Sequence, residues 1–338
     1  NRLTLMTMTA SGIQSPAITR DGTRVVFEST MNPFGTNPDG GQEIFRIQAD
    51  GTGLVQVTNS ASGDSSSPSI TADGNTIVFH SNADLAGQNP NLETQIFRIN
   101  ADGTGVQRLT HFSGSFVVVP RISANGAVVV YFSQPPRIGV VNANGTGEHY
   151  LTNGSASLNS SVDDTGTWIA FSSGDNLTGD SPNGTNQIYR MRTDGTGLQR
   201  VSTDATRNHF NPEISGTGTR IVYFGNPDPV GSNPNHYLQL FTYDATTSQT
   251  FQVTAGTEVG FAGLPASISG DGNWVVFLAS TPWAEPNPNG YFHLYRVPAT
   301  GGPAERIGAA PTTAPGGGTG NAFAYTYKPR TDMTGTRI

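Results

Sequence analysis

Ser15-Pro16-Ala17-Ile18, the turn Asp21-Gly22 and the run Val25-Val26-Phe27 decide the fold, because the chain repeats them. Ser67-Pro68-Ser69-Ile70 leads to Asp73-Gly74 and Ile77-Val78-Phe79. Val119-Pro120-Arg121-Ile122 leads to Asn125-Gly126 and Val129-Val130-Tyr131. Further copies start at Asn159-Ser160-Ser161-Val162, Asn211-Pro212-Glu213-Ile214, Pro265-Ala266-Ser267-Ile268 and Lys328-Pro329-Arg330-Thr331. Successive copies are spaced 52, 52, 40, 52, 54 and 63 residues apart. A recurring period of this size is the mark of a repeat architecture.

Each full copy has the same internal order. Glycine relieves the positive φ of the first tight turn. The β-branched and aromatic run after it reads as a buried strand. A third strand follows, as in Ile44-Phe45-Arg46-Ile47 and Ile96-Phe97-Arg98-Ile99. A second turn, Asp50-Gly51-Thr52-Gly53 or Asp102-Gly103-Thr104-Gly105, leads to a fourth strand. A four-stranded sheet that is apolar on both faces is unstable alone, and radial packing of such sheets buries both faces. The expectation is an all-β protein, a single β-propeller domain over 1–338. Its full repeats run approximately 15–66, 67–118, 119–158, 159–210, 211–264 and 265–327. A seventh blade would be split between 1–14 and 328–338. The seventh copy stops at Ile338, where its second strand begins, so six blades with stray ends is the alternative.

The pattern Ser-Pro-x-Ile-Thr-x-Asp-Gly, Val-Val-Phe-x-Ser, Gln-Ile-Phe-Arg and Asp-Gly-Thr-Gly resembles the TolB-like (PD40-type) propeller repeat. The resemblance covers nearly the whole chain and implies the propeller fold. It does not by itself imply one function, because a fold hosts many.

Composition narrows the function classes. Formal net charge is −7, and Lys328 is the one lysine among 18 basic residues. No Lys/Arg run is present to neutralise phosphates, so a nucleic-acid partner is not expected. There are no cysteines, which excludes disulfides, zinc–thiolate sites and cysteine nucleophiles. No apolar run is long enough for a transmembrane helix. The expected location is extracytoplasmic, periplasmic or secreted, in a bacterium. Nothing in the sequence specifies an oligomeric state.

Two sets of residues are placed where propellers meet ligands. The first is the position after the repeat proline, on the innermost strand: Ala17, Ser69, Arg121, Ser161, Glu213, Ser267 and Arg330. Small residues suit a crowded axis. Arg121, Glu213 and Arg330 break the pattern, as a site for a charged ligand or as solvated channel charges. The second set is the loop between strands two and three. It is long in five copies and absent in the third, where Ser133-Gln134-Pro135-Pro136 crosses directly. That deletion leaves a notch in the rim. His236, Tyr237, Trp283 and Tyr291 flank two of these loops as candidates for sugar binding, or as packing residues. Asp84, Asp175 and Asp180 are weak calcium candidates. The full alternating acidic pattern of a calcium loop is missing, and Asx turns explain such residues equally well.

Catalytic motifs are absent: there is no Gly-x-Ser-x-Gly elbow, His-Glu-x-x-His or P-loop. The leading expectation is therefore a non-enzymatic propeller that binds a protein or glycan through its loop-rich face, with no cofactor required. A carbohydrate-active lyase or hydrolase with a site at the channel mouth is one alternative. A structural module of a larger envelope or extracellular assembly is another.

Overall fold

The computed structural model describes residues 13–114, 116–154, 157–182, 184–228, 231–255, 266–279, 293–307, 331–332 and 334–335. These form six antiparallel sheets of four strands each. Blade one is β1 Gln14–Ile18, β2 Arg24–Ser29, β3 Glu43–Gln48 and β4 Val55–Gln56. Blade two is β5 Ser65–Ile70, β6 Thr76–Ser81, β7 Gln95–Asn100 and β8 Gln107–Arg108. Blade three is β9 Val117–Ile122, β10 Val128–Ser133, β11 Arg137–Asn142 and β12 His149–Tyr150. Blade four is β13 Ser157–Val162, β14 Trp168–Ser173, β15 Gln187–Arg192 and β16 Gln199–Arg200. Blade five is β17 His209–Ile214, β18 Arg220–Gly225, β19 Gln239–Asp244 and β20 Gln249–Gln252. Blade six is β21 Ser267–Ile268, β22 Trp274–Ala279, β23 His293–Pro298 and β24 Glu305–Ile307. The outermost strands of blades one to four are two residues long, which leaves little edge for another chain to pair with.

The core lies between blades. Val26 and Ile44 of blade one pack with Ile77, Phe79 and Phe97 of blade two. The same arrangement joins Val78 and Ile96 to Val129 and Val141, and Val130 and Ile138 to Ile169 and Phe171. Period-2 alternation along each central strand supplies both interfaces. An aromatic pair sits across β2 and β3, Phe27 on Phe45, with centroids 5.8 Å apart. It recurs as Phe79–Phe97, Phe171–Tyr189, Tyr223–Phe241 and Phe277–Tyr295. The arginine of Ile-Phe-Arg also has an inter-blade task. Arg46 donates to the carbonyl of Ala101 in blade two, and Arg98 to that of Ala143 in blade three.

Blade three departs from the pattern in two linked ways. Its β10–β11 connection is Gln134-Pro135-Pro136 alone. Its β11 carries Gly139 opposite Tyr131, where other blades carry a ring. A Cβ at Gly139 would lie 2.2 Å from the Tyr131 ring. Tyr131 therefore lies over Gly139, with its hydroxyl on Glu148, and Phe112 supplies the missing aromatic contact.

The seventh copy is described only at Thr331–Asp332 and Thr334–Gly335; the remainder of the expected split blade lies outside the described residues. The described fragment continues the inter-blade ladder. Gly270 donates its N–H to the carbonyl of Asp332, as Thr217 does to Gly270 and Asp164 to Gly216.

Gly139→Ala is expected to destabilise the protein by about 2 kcal/mol, the usual cost of overpacking. Denaturant unfolding of the variant beside wild type checks this. A second expectation concerns acid. Burial lowers both His80 and His209 to about 4. An unfolded histidine titrates near 6.5, so between pH 6.5 and 4 the unfolded chain takes up protons that the fold refuses. Unfolding free energy then falls as acid is added, by up to about 3 kcal/mol for each histidine. Burial raises Glu28 and Glu43, which act in the opposite sense, since their contribution is present at low pH and lost as pH rises. Comparing His209→Gln with wild type isolates one histidine: the variant should show a shallower loss of stability across that window.

Candidate functional site

The axis of the ring is lined by the innermost strands, and their geometry is set by a repeated irregularity. Ser15, Ser67, Val119 and Asn211 have φ between 49° and 55°. Each directly precedes the repeat proline, and the β1–β2 type register shifts at the same place. This is a β-bulge, and the proline after it has no N–H to lose from the ladder. In blade two the freed Ser67 N–H donates to the Glu28 carboxylate of blade one, which also accepts Ser15 Oγ.

Beyond the bulge, side chains turn into an axial cavity of about 100 Å³. Ala17, Ser69, Arg121, Ser161, Glu213 and Ser267 line it together, with Thr331 of the seventh copy. Arg121 donates to the carbonyl of Pro120, and Ser267 Oγ donates to the Glu213 carboxylate at 2.9 Å. Arg330 lies outside the described residues. Small-molecule sites begin at roughly 300 Å³, so this cavity has room for several waters and a side chain but not for an oligosaccharide.

Sequence reasoning missed the next layer. Three residues beyond Ala17, on the turn side, stands Arg20, and its equivalents are Ala72, Ala124, Asp164, Gly216 and Gly270. Arg20 of blade one reaches Asp164 of blade four and forms an ion pair with it. Burial pushes the Asp164 carboxyl upward, while Arg20 pulls it back. The signal was present in the alignment of copies, as one positive and one negative residue among alanines and glycines. That they meet depends on the ring.

The two faces differ in construction. One carries the tight turns β1–β2 and β3–β4 and their equivalents. The other carries the long loops between second and third strands. In these loops an asparagine ties the ends together. Asn37 donates to the carbonyls of Met31 and Gly41, Asn89 to Ala83 and Glu93, and Asn233 to Pro227 and Tyr237. Of the calcium candidates, Asp84 and Asp180 are engaged within such loops, whereas Asp175 Oδ2 is buried with no hydrogen-bond partner among the described residues. Asp84 accepts the Asn89 N–H at 2.6 Å, and Asp180 pairs with Arg200 at 2.9 Å. Asp175 packs against Gly154, and its main-chain carbonyl accepts the Tyr189 hydroxyl. Among the described residues no three His, Asp or Glu side chains come close enough to hold a metal. His236 Nδ1 lies 3.2 Å from the carbonyl of Asn226, and the Tyr237 N–H donates to Asn233, so both half-buried residues hold their loop. Trp283 and Tyr291 lie outside the described residues.

The histidines are dispersed. His209 stands edge-on to Tyr223 and His293 edge-on to Tyr295, both in the core. His149 bonds main-chain carbonyls at the surface. Exposed apolar side chains, by contrast, are concentrated on the loop face: Phe34, Leu92, Phe116 and Phe210. Phe116 and Phe210 begin the innermost strands of blades three and five, on either side of blade four. Leu198, in a β3–β4 type turn, is the exception.

Asp84→Ala should lower stability by about 1 kcal/mol through loss of one loop-closing hydrogen bond. The loss should be equal with calcium and with chelator. A calcium-dependent rise in Tm that the variant abolishes would instead give Asp84 a metal.

The PD40 family profile, TolB beta propeller domain, matches residues 5–182. No curated protein matches the chain. Among solved structures, TolB from Acinetobacter baumannii is 16% identical with a TM-score of 0.51, over 84% of this chain and 66% of that one. This chain thus spans about two-thirds of that protein's length. Oligogalacturonate lyase from Vibrio parahaemolyticus is 12% identical with a TM-score of 0.63, over 89% of this chain and 80% of that one. The propeller domain of the Trilobed protease from Pyrococcus furiosus is 11% identical with a TM-score of 0.58, over 87% and 83%. At these identities the likeness is one of fold. The profile match, the six sheets and the repeated turn chemistry together place this chain in the TolB beta-propeller family.

Proposed function

We propose that this protein is a non-enzymatic binding propeller that docks a protein partner on its loop-rich face. One observation carries the reading: among the described residues, four of the five exposed large hydrophobic side chains, Phe34, Leu92, Phe116 and Phe210, lie on that face. Phenylalanine has no polar handle for a sugar hydroxyl, so these rings suit apolar side chains of a protein better than a glycan. The connection missing from blade three lowers the rim beside Phe116. The axial cavity is smaller than a saccharide site, and its charged residues Arg121 and Glu213 would contribute to orienting a partner above it. The family fits an extracytoplasmic location, and no helix among the described residues is long and apolar enough to cross a membrane.

Peptides selected from a display library on wild-type protein should lose affinity about tenfold or more when Phe116→Ser and Phe210→Ser are combined, as buried aromatic anchors do. Leu198→Ser should leave binding unchanged. Ligands found only on a glycan array would replace the protein by a sugar. Release of unsaturated uronates from a polyuronate would overturn the non-enzymatic reading.

A further inference from the structure

We propose that the Arg20–Asp164 ion pair is a plug that closes the channel on the turn face, so that the axial cavity is a blind pit. Arg20 and Asp164 occupy the same position of copies one and four, with blades two and three between them. Side chains at equivalent positions of such blades can meet only by crossing the mouth of the channel, and these two do meet. The other described positions of this layer are Ala72, Ala124, Gly216 and Gly270. None of them has a side chain long enough to obstruct the pair.

The anchorage of Asp164 is unusually firm. Its N–H donates to Gly216 and its carbonyl accepts Asn125, so it is tied to both neighbouring blades. Its carboxylate lies directly over Gly216, where a Cβ would come within 2.3 Å of Oδ2. A side chain at 216 would displace the carboxylate from this position. Arg20 in turn lines the same cavity as Ala17, Arg121 and Glu213, so its side chain forms the floor of that space. The pair is only partly shielded from solvent, with side-chain exposures of 30% and 21%. A pair of that kind is weakened by salt. The plug is thus a latch that ionic strength can loosen, and it acts whether or not the loop face binds a partner.

The absence of native cysteine makes the test direct. Ala17→Cys places one thiol in the cavity, and its rate of modification by a small charged thiol reagent reads access. The rate should be slower in the otherwise wild-type chain, where the reagent enters only from the loop face, than in chains without the pair. It should rise severalfold, up to about fivefold, in Arg20→Ala and in Asp164→Asn, the change in open population that losing one ion pair of ordinary strength produces. It should also rise in 1 M salt. Exchanging the two charges, Arg20→Asp with Asp164→Arg, should restore the slow rate. Equal rates in wild type and both single variants would overturn the proposal, because access would then come from the loop face alone. An equal acceleration at a core thiol, Ala170→Cys, would overturn it too, since the pair would then be holding the fold rather than the mouth.

Discussion

Each blade is apolar on both faces, and only a neighbour on each side can remove those faces from water. This constraint underlies the rest of the structure. Val78 and Phe79 are consecutive on β6, yet Val78 packs against blade three and Phe79 against blade one, and both are buried. Stacked rings across second and third strands fill the space between strands in blades one, two, four, five and six. Arg46 and Arg98 add polar ties from one blade to the next. A ring follows because a linear stack of such sheets would leave its two end faces wet. The axis of that ring is then a place where equivalent positions of all copies converge.

Regularity tolerates departures where a local substitute exists. Blade three lacks both the long loop and the ring partner of Tyr131. Gly139 makes space for the tyrosine to fold over the backbone, and Phe112 restores the aromatic contact from another segment. The bulge before the repeat proline is a different kind of departure, since it is common to four blades. Val119 adopts φ 54° there although a β-branched residue is disfavoured in that region. The surrounding ladder imposes the conformation, and the side chain after the following proline, Arg121 in this blade, faces the channel.

Much of the site was legible in the copies themselves. Aligning them placed Arg121 and Glu213 on the axis, where the cavity is found. The loop oxygens were legible as a class but not in their roles: Asp84 closes its own loop, whereas Asp180 reaches Arg200. His236 and Tyr237 stand in the sequence as candidates for sugar binding or for packing; the His236 ring and the Tyr237 main chain hold their loop. The Arg20–Asp164 pair was not read at all, although both residues stand out among small equivalents. Repeat alignment shows that two residues share a layer, but not how wide the layer is or which side chains can span it.

The sequence by itself determined the strand order, the turn positions, the apolar faces and the positions that reach the axis. These follow from local chemistry: glycine at positive φ, alternation with period two, and recurrence at a fixed interval. Only the tertiary structure decided which charged side chains meet, how much room the channel leaves and which aromatic rings remain in water. Those properties depend on distances across the ring, between residues more than a hundred positions apart. No local pattern encodes such distances, because they arise from the sum of all the inter-blade packings between them.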